Sequence, residues 1–83
     1  MSQHSIRRYL RWYEKKGDEY IADEDLTGIE LKELQSLFSV PAYDPMYDCW
    51  EVKEEHIKTL QQHVMHNIEI HKHDYFVEAS SKK

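Results

Sequence analysis

Ile6-Arg7-Arg8-Tyr9-Leu10-Arg11-Trp12-Tyr13-Glu14 is the stretch that decides how this chain folds. Its side chains alternate. Ile6, Arg8, Leu10 and Trp12 fall on one side, and Arg7, Tyr9, Arg11 and Tyr13 on the other, which is the period-2 signature of a β-strand. Leu10 and Trp12 mark the core side. Lys15-Lys16-Gly17 follows as a tight turn, with Gly17 free to take a positive φ. Asp18 to Ala22, carrying Tyr20, Ile21 and Ala22, is expected to return as the second strand of a hairpin.

Working outward, Thr27 and Glu30 have the spacing of a capping box and predict a helix over about residues 28–38. Leu31, Leu34, Leu37 and Phe38 recur at helical spacing and are expected to face the sheet. Pro41 is expected to end that element, because the residue before proline avoids the helical region. Residues 41–47 read as a loop held by Pro41 and Pro45. A short strand is expected from Asp48 to Val52. Ile57, Leu60 and Val64 predict a second helix over Glu54 to Met65. Asn67 to Ile70 alternates with Ile68 and Ile70 inward, and His73 to Ala79 alternates with Tyr75, Val77 and Ala79 inward. Ser80 to Lys83 reads as a frayed tail. The expected fold is α+β: one domain over residues 1–83, with a small antiparallel sheet of about four strands in β-β-α-β-α-β order. One face would be covered by helix and the other open.

Eighty-three residues bury a thin core, hiding about 60–65% of the surface of the unfolded chain. A surface-binding role fits that size better than a deep enzyme pocket. The single cysteine, Cys49, excludes an intramolecular disulfide, and small secreted domains usually carry such links. Met1 to Leu10 has Arg7 and Arg8 without a following apolar run, and no segment is long enough to span a bilayer. A cytoplasmic location is therefore expected, with no membrane partner. The formal charge is −5, from 16 acidic against 11 basic residues. Arg7, Arg8, Arg11, Lys15 and Lys16 crowd the start of the chain. Asp18, Glu19, Asp23, Glu24 and Asp25 form one acidic run, and Asp44, Asp48, Glu51, Glu54 and Glu55 another, interrupted only by Lys53. Acidic surface repels phosphate and attracts a basic partner, so direct nucleic-acid binding is disfavoured. A merely solubilising surface is the plainer reading of the same charges.

Parity sorts the side chains further. With Leu10, Trp12, Tyr75 and Val77 inward, Tyr9, Arg11, Tyr13, Asp74, Phe76 and Glu78 point outward. Placing Val52 in the core turns Trp50 inward beside it and puts Cys49 and Glu51 on the open face. That face then holds Tyr13, Cys49 and Phe76 ringed by Glu14, Glu51, Asp74 and Glu78. Apolar anchors inside a charged rim are how protein interfaces are built, although single exposed aromatics are also ordinary strand residues.

An ordered series along the chain resembles the cloacin-type immunity family, the inhibitors of ribonuclease colicins and cloacin. It runs Leu10-Arg11-Trp12-Tyr13-Glu14-Lys15, Glu19-Tyr20, Ser39-Val40-Pro41, then Cys49-Trp50-Glu51-Val52, Leu60-Gln61, His66, Ile68-Glu69-Ile70, Asp74 and Tyr75-Phe76-Val77. The resemblance implies a mostly antiparallel sheet with a short helix. It also implies a non-enzymatic immunity protein, an antitoxin that binds the basic cytotoxic domain of a bacteriocin or contact-delivered nuclease. Such a protein blocks access to the ribosome or other RNA substrate without plugging the catalytic residues. Contact positions carry over to Tyr13, Cys49 and Phe76, with Trp50 telling one toxin from another. Parity and the resemblance pull Trp50 in opposite directions. Glu14, Glu19, Asp48, Glu51 and Glu78 are the candidate charge partners. The first hairpin is shorter than the family's, the N-terminus and tail are more basic, and Lys53 to Val64 lacks the family's prolines, which implies a fuller helix and a cognate toxin of different sequence.

Other chemistries fit less well. His63 and His66, or His71 and His73, are not at the four-residue helical spacing of known zinc motifs, and Cys49 stands alone, so no metal or cofactor is expected. An acid–base ribonuclease using His66, Glu69 and His73 would want basic residues on its substrate face. Asp48 and Glu51 work against a reactive Cys49 thiolate. The closest alternative is a non-enzymatic interaction module of the same fold, self-associating through the open face and without a toxin partner. The free protein is expected to be a monomer or weak homodimer.

Overall fold

The alternating N-terminal stretch is an internal strand. In a computed structural model, which describes residues 5–82, β1 spans Ser5–Glu14 and lies between β2 (Tyr20–Asp25) and β4 (His73–Lys82). The short β3 (Trp50–Glu51) completes a four-stranded sheet of order β2-β1-β4-β3, antiparallel at every pairing. Helices α1 (Leu31–Leu37) and α2 (Glu54–Gln61) are inserted around β3. The fold is the small α+β domain that the alternation and the two helical spacings imply.

Parity holds through both long strands. Leu10, Trp12, Tyr75 and Val77 are buried and pack with Leu34, Leu60, Val52, Leu26, Ile68 and Met46. Leu31, Leu37, Phe38 and Ile57 pack around that cluster from the helices. One face of the sheet is thus the core, because burying the apolar side chains of an amphipathic strand requires a second layer.

Several boundaries differ from the expected ones, each for a local reason. β2 begins at Tyr20, not Asp18, because Gly17 and Asp18 both take positive φ (93° and 55°) and prolong the turn. It then runs on through Asp23-Glu24-Asp25, where Asp23 and Asp25 pair with Arg7 of β1. α1 starts at Leu31, not at residue 28: Gly28 has φ 81° and belongs to the turn before the helix. The working cap lies one turn later than Thr27, where the backbone N–H of Glu30 donates to the Glu33 carboxylate at 3.1 Å. Its far end is set by Ser39 at φ 57°, ahead of Pro41. α2 stops at Gln61, well short of Met65. The strand expected over Asp48 to Val52 is ordered as a ladder only at Trp50 and Glu51.

Asn67 to Ile70 is a loop rather than a strand, although Ile68 is buried and Ile70 packs against the core. It is held by side chains instead of a ladder. Gln61 donates to the His66 carbonyl and accepts from the Ile68 N–H, and Glu24 accepts the N–H groups of Met65 and His66. The Tyr75 hydroxyl accepts the Glu69 N–H at 2.9 Å and lies 2.7 Å from Nε2 of His66, whose ring stacks on Trp12 with centroids 4.0 Å apart. Ser80 to Lys82, expected to fray, continue β4 opposite Ser5–Arg7; Lys83 lies outside the described residues. The loop at 41–47 is fixed from both sides. Gln35 donates to the carbonyls of Ala42 and Asp44, Arg8 donates to those of Pro45 and Met46, and the Met46 side chain plugs the core at 2% exposure.

Candidate partner-binding face

The sheet face opposite the helices is built by register. Across β1 and β4, Tyr13 stands opposite Asp74, Arg11 opposite Phe76 and Tyr9 opposite Glu78. Directly paired residues of an antiparallel ladder share a face, so these six form one patch. On the β2 side, Tyr20 pairs with Tyr13, Asp23 with Arg11 and Asp25 with Tyr9. On the β3 side, Glu51 pairs with Phe76 and joins the same patch, whereas Trp50 pairs with Val77 and belongs to the other side.

At the centre, Tyr13 and Phe76 are diagonal neighbours that meet edge to face, their ring centroids 5.8 Å apart and their planes at 77°. This is a favourable geometry for two aromatic quadrupoles, worth about 0.5–1.5 kcal/mol beyond area burial. With Asp18, Cys49, Asp74 and Glu78 they line an open depression of about 320 Å³.

Glu78 holds this centre together. One carboxylate oxygen accepts from the Tyr9 hydroxyl (3.4 Å) and Arg11 Nη1 (3.3 Å). The other accepts from the Tyr13 hydroxyl (3.3 Å) and the Cys49 thiol (3.6 Å). These bonds are long, but they use two donors per oxygen, the full capacity of a carboxylate. They orient the Tyr13 ring and the thiol toward the same depression. Burial, then the neighbouring Glu78 carboxylate, pushes the Cys49 thiol up to about 11, so it is a neutral donor at neutral pH and not a nucleophile. Burial and Glu78 also raise the Tyr13 hydroxyl above its ordinary range.

Arg7, Arg11 and Lys15 of the basic N-terminal stretch lie on this same surface, a placement that composition alone did not indicate. Arg7 pairs with Asp23 (2.7 Å) and Asp25, Arg11 with Glu78, and Lys15 with Asp74 (2.8 Å). Arg7 also lies 4.1 Å from the Tyr9 ring centroid, which explains why Tyr9 is only 7% exposed although its parity is outward. The strand parity contained this signal: Arg7 and Arg11 alternate with the core residues, so they had to share a face with the outward acids.

Tyr13, Cys49, Glu51, Phe76 and Glu78 are therefore brought together. Asp48 adjoins Cys49 and is exposed, and Glu19 is exposed in the turn before β2. Glu14, expected on the rim of this face, is exposed but shares the parity of Leu10 and Trp12, opposite His73 at the end of the sheet. Trp50 packs toward Phe38 on the helix side, with ring centroids 6.4 Å apart. It backs the edge strand and does not line the depression. Among the described residues, no ion pair engages Glu14, Glu19, Asp48 or Glu51. Among the same residues no three His, Cys, Asp or Glu side chains are grouped so as to hold a metal ion, and no helix is long and apolar enough to cross a membrane.

A family model described as "Domain of unknown function (DUF7683)" matches residues 7–78, and the chain belongs to that family. The match takes in β1 from Arg7 onward, both helices and β4 as far as Glu78. No curated protein matches the chain.

Proposed function

We propose that this member of the DUF7683 family is an immunity protein that binds a basic nuclease toxin domain, a ribonuclease, and denies it access to its RNA substrate. The exposed acids Glu19, Asp48 and Glu51 steer the positively charged domain toward the sheet. Tyr13, Cys49 and Phe76 then form the desolvated centre of the contact. Glu78 acts behind them as a positioning residue, and the protein performs no chemistry of its own. Trp50 acts from behind β3, through the edge strand.

One observation carries the reading. An edge-to-face aromatic pair and a neutral thiol converge on one depression of the sheet face opposite the helices, inside a rim of carboxylates. A surface made only for solubility has no need of a half-buried carboxylate that orients the Tyr13 ring and a thiol toward one depression. The ordered resemblance to cloacin-type immunity proteins falls on the same three contact residues.

Co-expression with a basic nuclease domain encoded beside this chain tests the proposal. Survival of the host and co-purification of the two proteins are expected. Death of the host, with no complex recovered for any neighbouring nuclease, contradicts it.

A further inference from the structure

The aromatic rings of this face already receive cations from the chain itself. Arg7 sits over Tyr9 at 4.1 Å, and Arg11 lies 4.9 Å from the Tyr20 centroid and 5.6 Å from that of Tyr13. Among the described residues no cation lies over Phe76. Phe76 lines the depression together with Asp18, Asp74 and Glu78, and Glu51 stands opposite it in the ladder. The thiol in the same wall is protonated, so it adds a weak donor and no competing charge.

We propose that this depression takes the guanidinium of one arginine supplied by the partner protein, stacked on Phe76 and forked toward Asp74 and Asp18. The inference rests on reading this face as the partner surface and names the group that the surface recognises. A guanidinium is weakly hydrated, planar and always charged, so it can leave water, lie on a ring and meet a carboxylate with two parallel N–H bonds. An ammonium has the charge but not the plane. The self-made pairs on the same face follow that distinction: both arginines that reach a ring are seated on tyrosine, whereas Lys15 goes to the Asp74 carboxylate. Asp74 exchanges its exposed Lys15 partner for the incoming arginine at small cost, because exposed ion pairs contribute little.

The test is an NMR titration of the isolated chain with N-acetyl-arginine methylamide, alongside the lysine analogue and the neutral citrulline analogue. Saturable shifts confined to the amides of Tyr13, Asp18, Cys49, Asp74, Phe76 and Glu78 are expected with arginine, weaker ones with lysine and none with citrulline. Phe76→Leu keeps the apolar bulk and removes the ring, and is expected to weaken arginine binding about threefold or more. Asp74→Asn, at a half-buried position, is expected to weaken it similarly. Absence of saturable shifts, equal shifts with citrulline, or tighter binding of lysine overturns the inference. Toxin binding that persists without any arginine response sinks this inference and leaves the immunity reading intact. A localised arginine response in a chain that binds no toxin supports the pocket while removing the immunity role.

Discussion

The Cys49 sulfur lies 3.6 Å from a carboxylate oxygen of Glu78, Cys49 coming just before β3 and Glu78 from the neighbouring β4. The thiol is the donor of that pair and is pushed up to about 11. At neutral pH Cys49 should therefore hold on the order of tenfold to a hundredfold less thiolate than an ordinary cysteine. Its alkylation rate, followed against pH, is expected to rise only well into the alkaline range. Glu78→Gln removes the charge and should bring that rise to lower pH. A rate that titrates where a free peptide thiol does contradicts the geometry.

The two histidines on the helix side predict an acid-labile fold. His56 accepts the Lys53 N–H at Nδ1 (2.9 Å) and so caps α2 only when that nitrogen is unprotonated. The Tyr75 hydroxyl accepts from the Glu69 N–H, which leaves its own proton for His66 Nε2. Burial lowers both histidines below their ordinary value. It outweighs Glu55 beside His56, where Lys53 lowers the value further. It likewise outweighs Glu24 and Glu69 near His66, where His73 adds to the lowering. With the folded-state value depressed, the unfolded chain binds more protons in the window between the two values. Stability is then complete above about pH 6.5 and is lost as pH falls below it. Urea midpoints measured from pH 8 to pH 5 should decline, and His56→Gln with His66→Gln should flatten the decline. A midpoint independent of pH in that range contradicts the two hydrogen-bond assignments.

Tyr75→Phe isolates the second of these contacts. The ring still fills the core, but the Glu69 N–H and His66 lose their shared partner. A loss of about 1 kcal/mol is expected from the lost hydrogen bonds of these half-buried groups, read by chemical denaturation. An unchanged stability would mean that the 65–70 loop is held without the hydroxyl.

Much of the fold was legible because alternation in β1 and β4 is unbroken. Leu10, Trp12, Tyr75 and Val77 could be assigned to the core from order alone, and Tyr13 and Phe76 to the opposite face. What could not be read was anything that depends on long-range polar contacts. Met46 enters the core because Gln35 and Arg8 fix the loop around it, and neither tie leaves a periodic trace. The Glu30–Glu33 cap displaced the expected Thr27–Glu30 cap because Gly28 adopts a left-handed turn. The saturated Glu78 hub needs three strands in register, so only its outward parity was visible. Parity placed Arg7 and Arg11 on the same face, but their partners Asp23, Asp25 and Glu78 depend on register, and these ion pairs leave the face less acidic than the charge runs implied.

Charge reversal at Glu51 tests steering separately from docking. Glu51 is exposed on the same face as Phe76 and is engaged by no ion pair among the described residues. Glu51→Lys should slow association with a basic toxin domain and flatten its salt dependence, with a smaller change in dissociation. Stopped-flow rates at several ionic strengths give the answer. An association rate that does not change removes Glu51 from the encounter.

The most direct test of the central claim is calorimetric titration of a co-purifying nuclease domain with the wild-type chain, Cys49→Ala and Phe76→Ala, each checked for folding by circular dichroism. Both substitutions should weaken binding by about 2 kcal/mol or more while the fold persists. Wild-type affinity in both folded variants would contradict the account, because the partner would then be docking on some other surface.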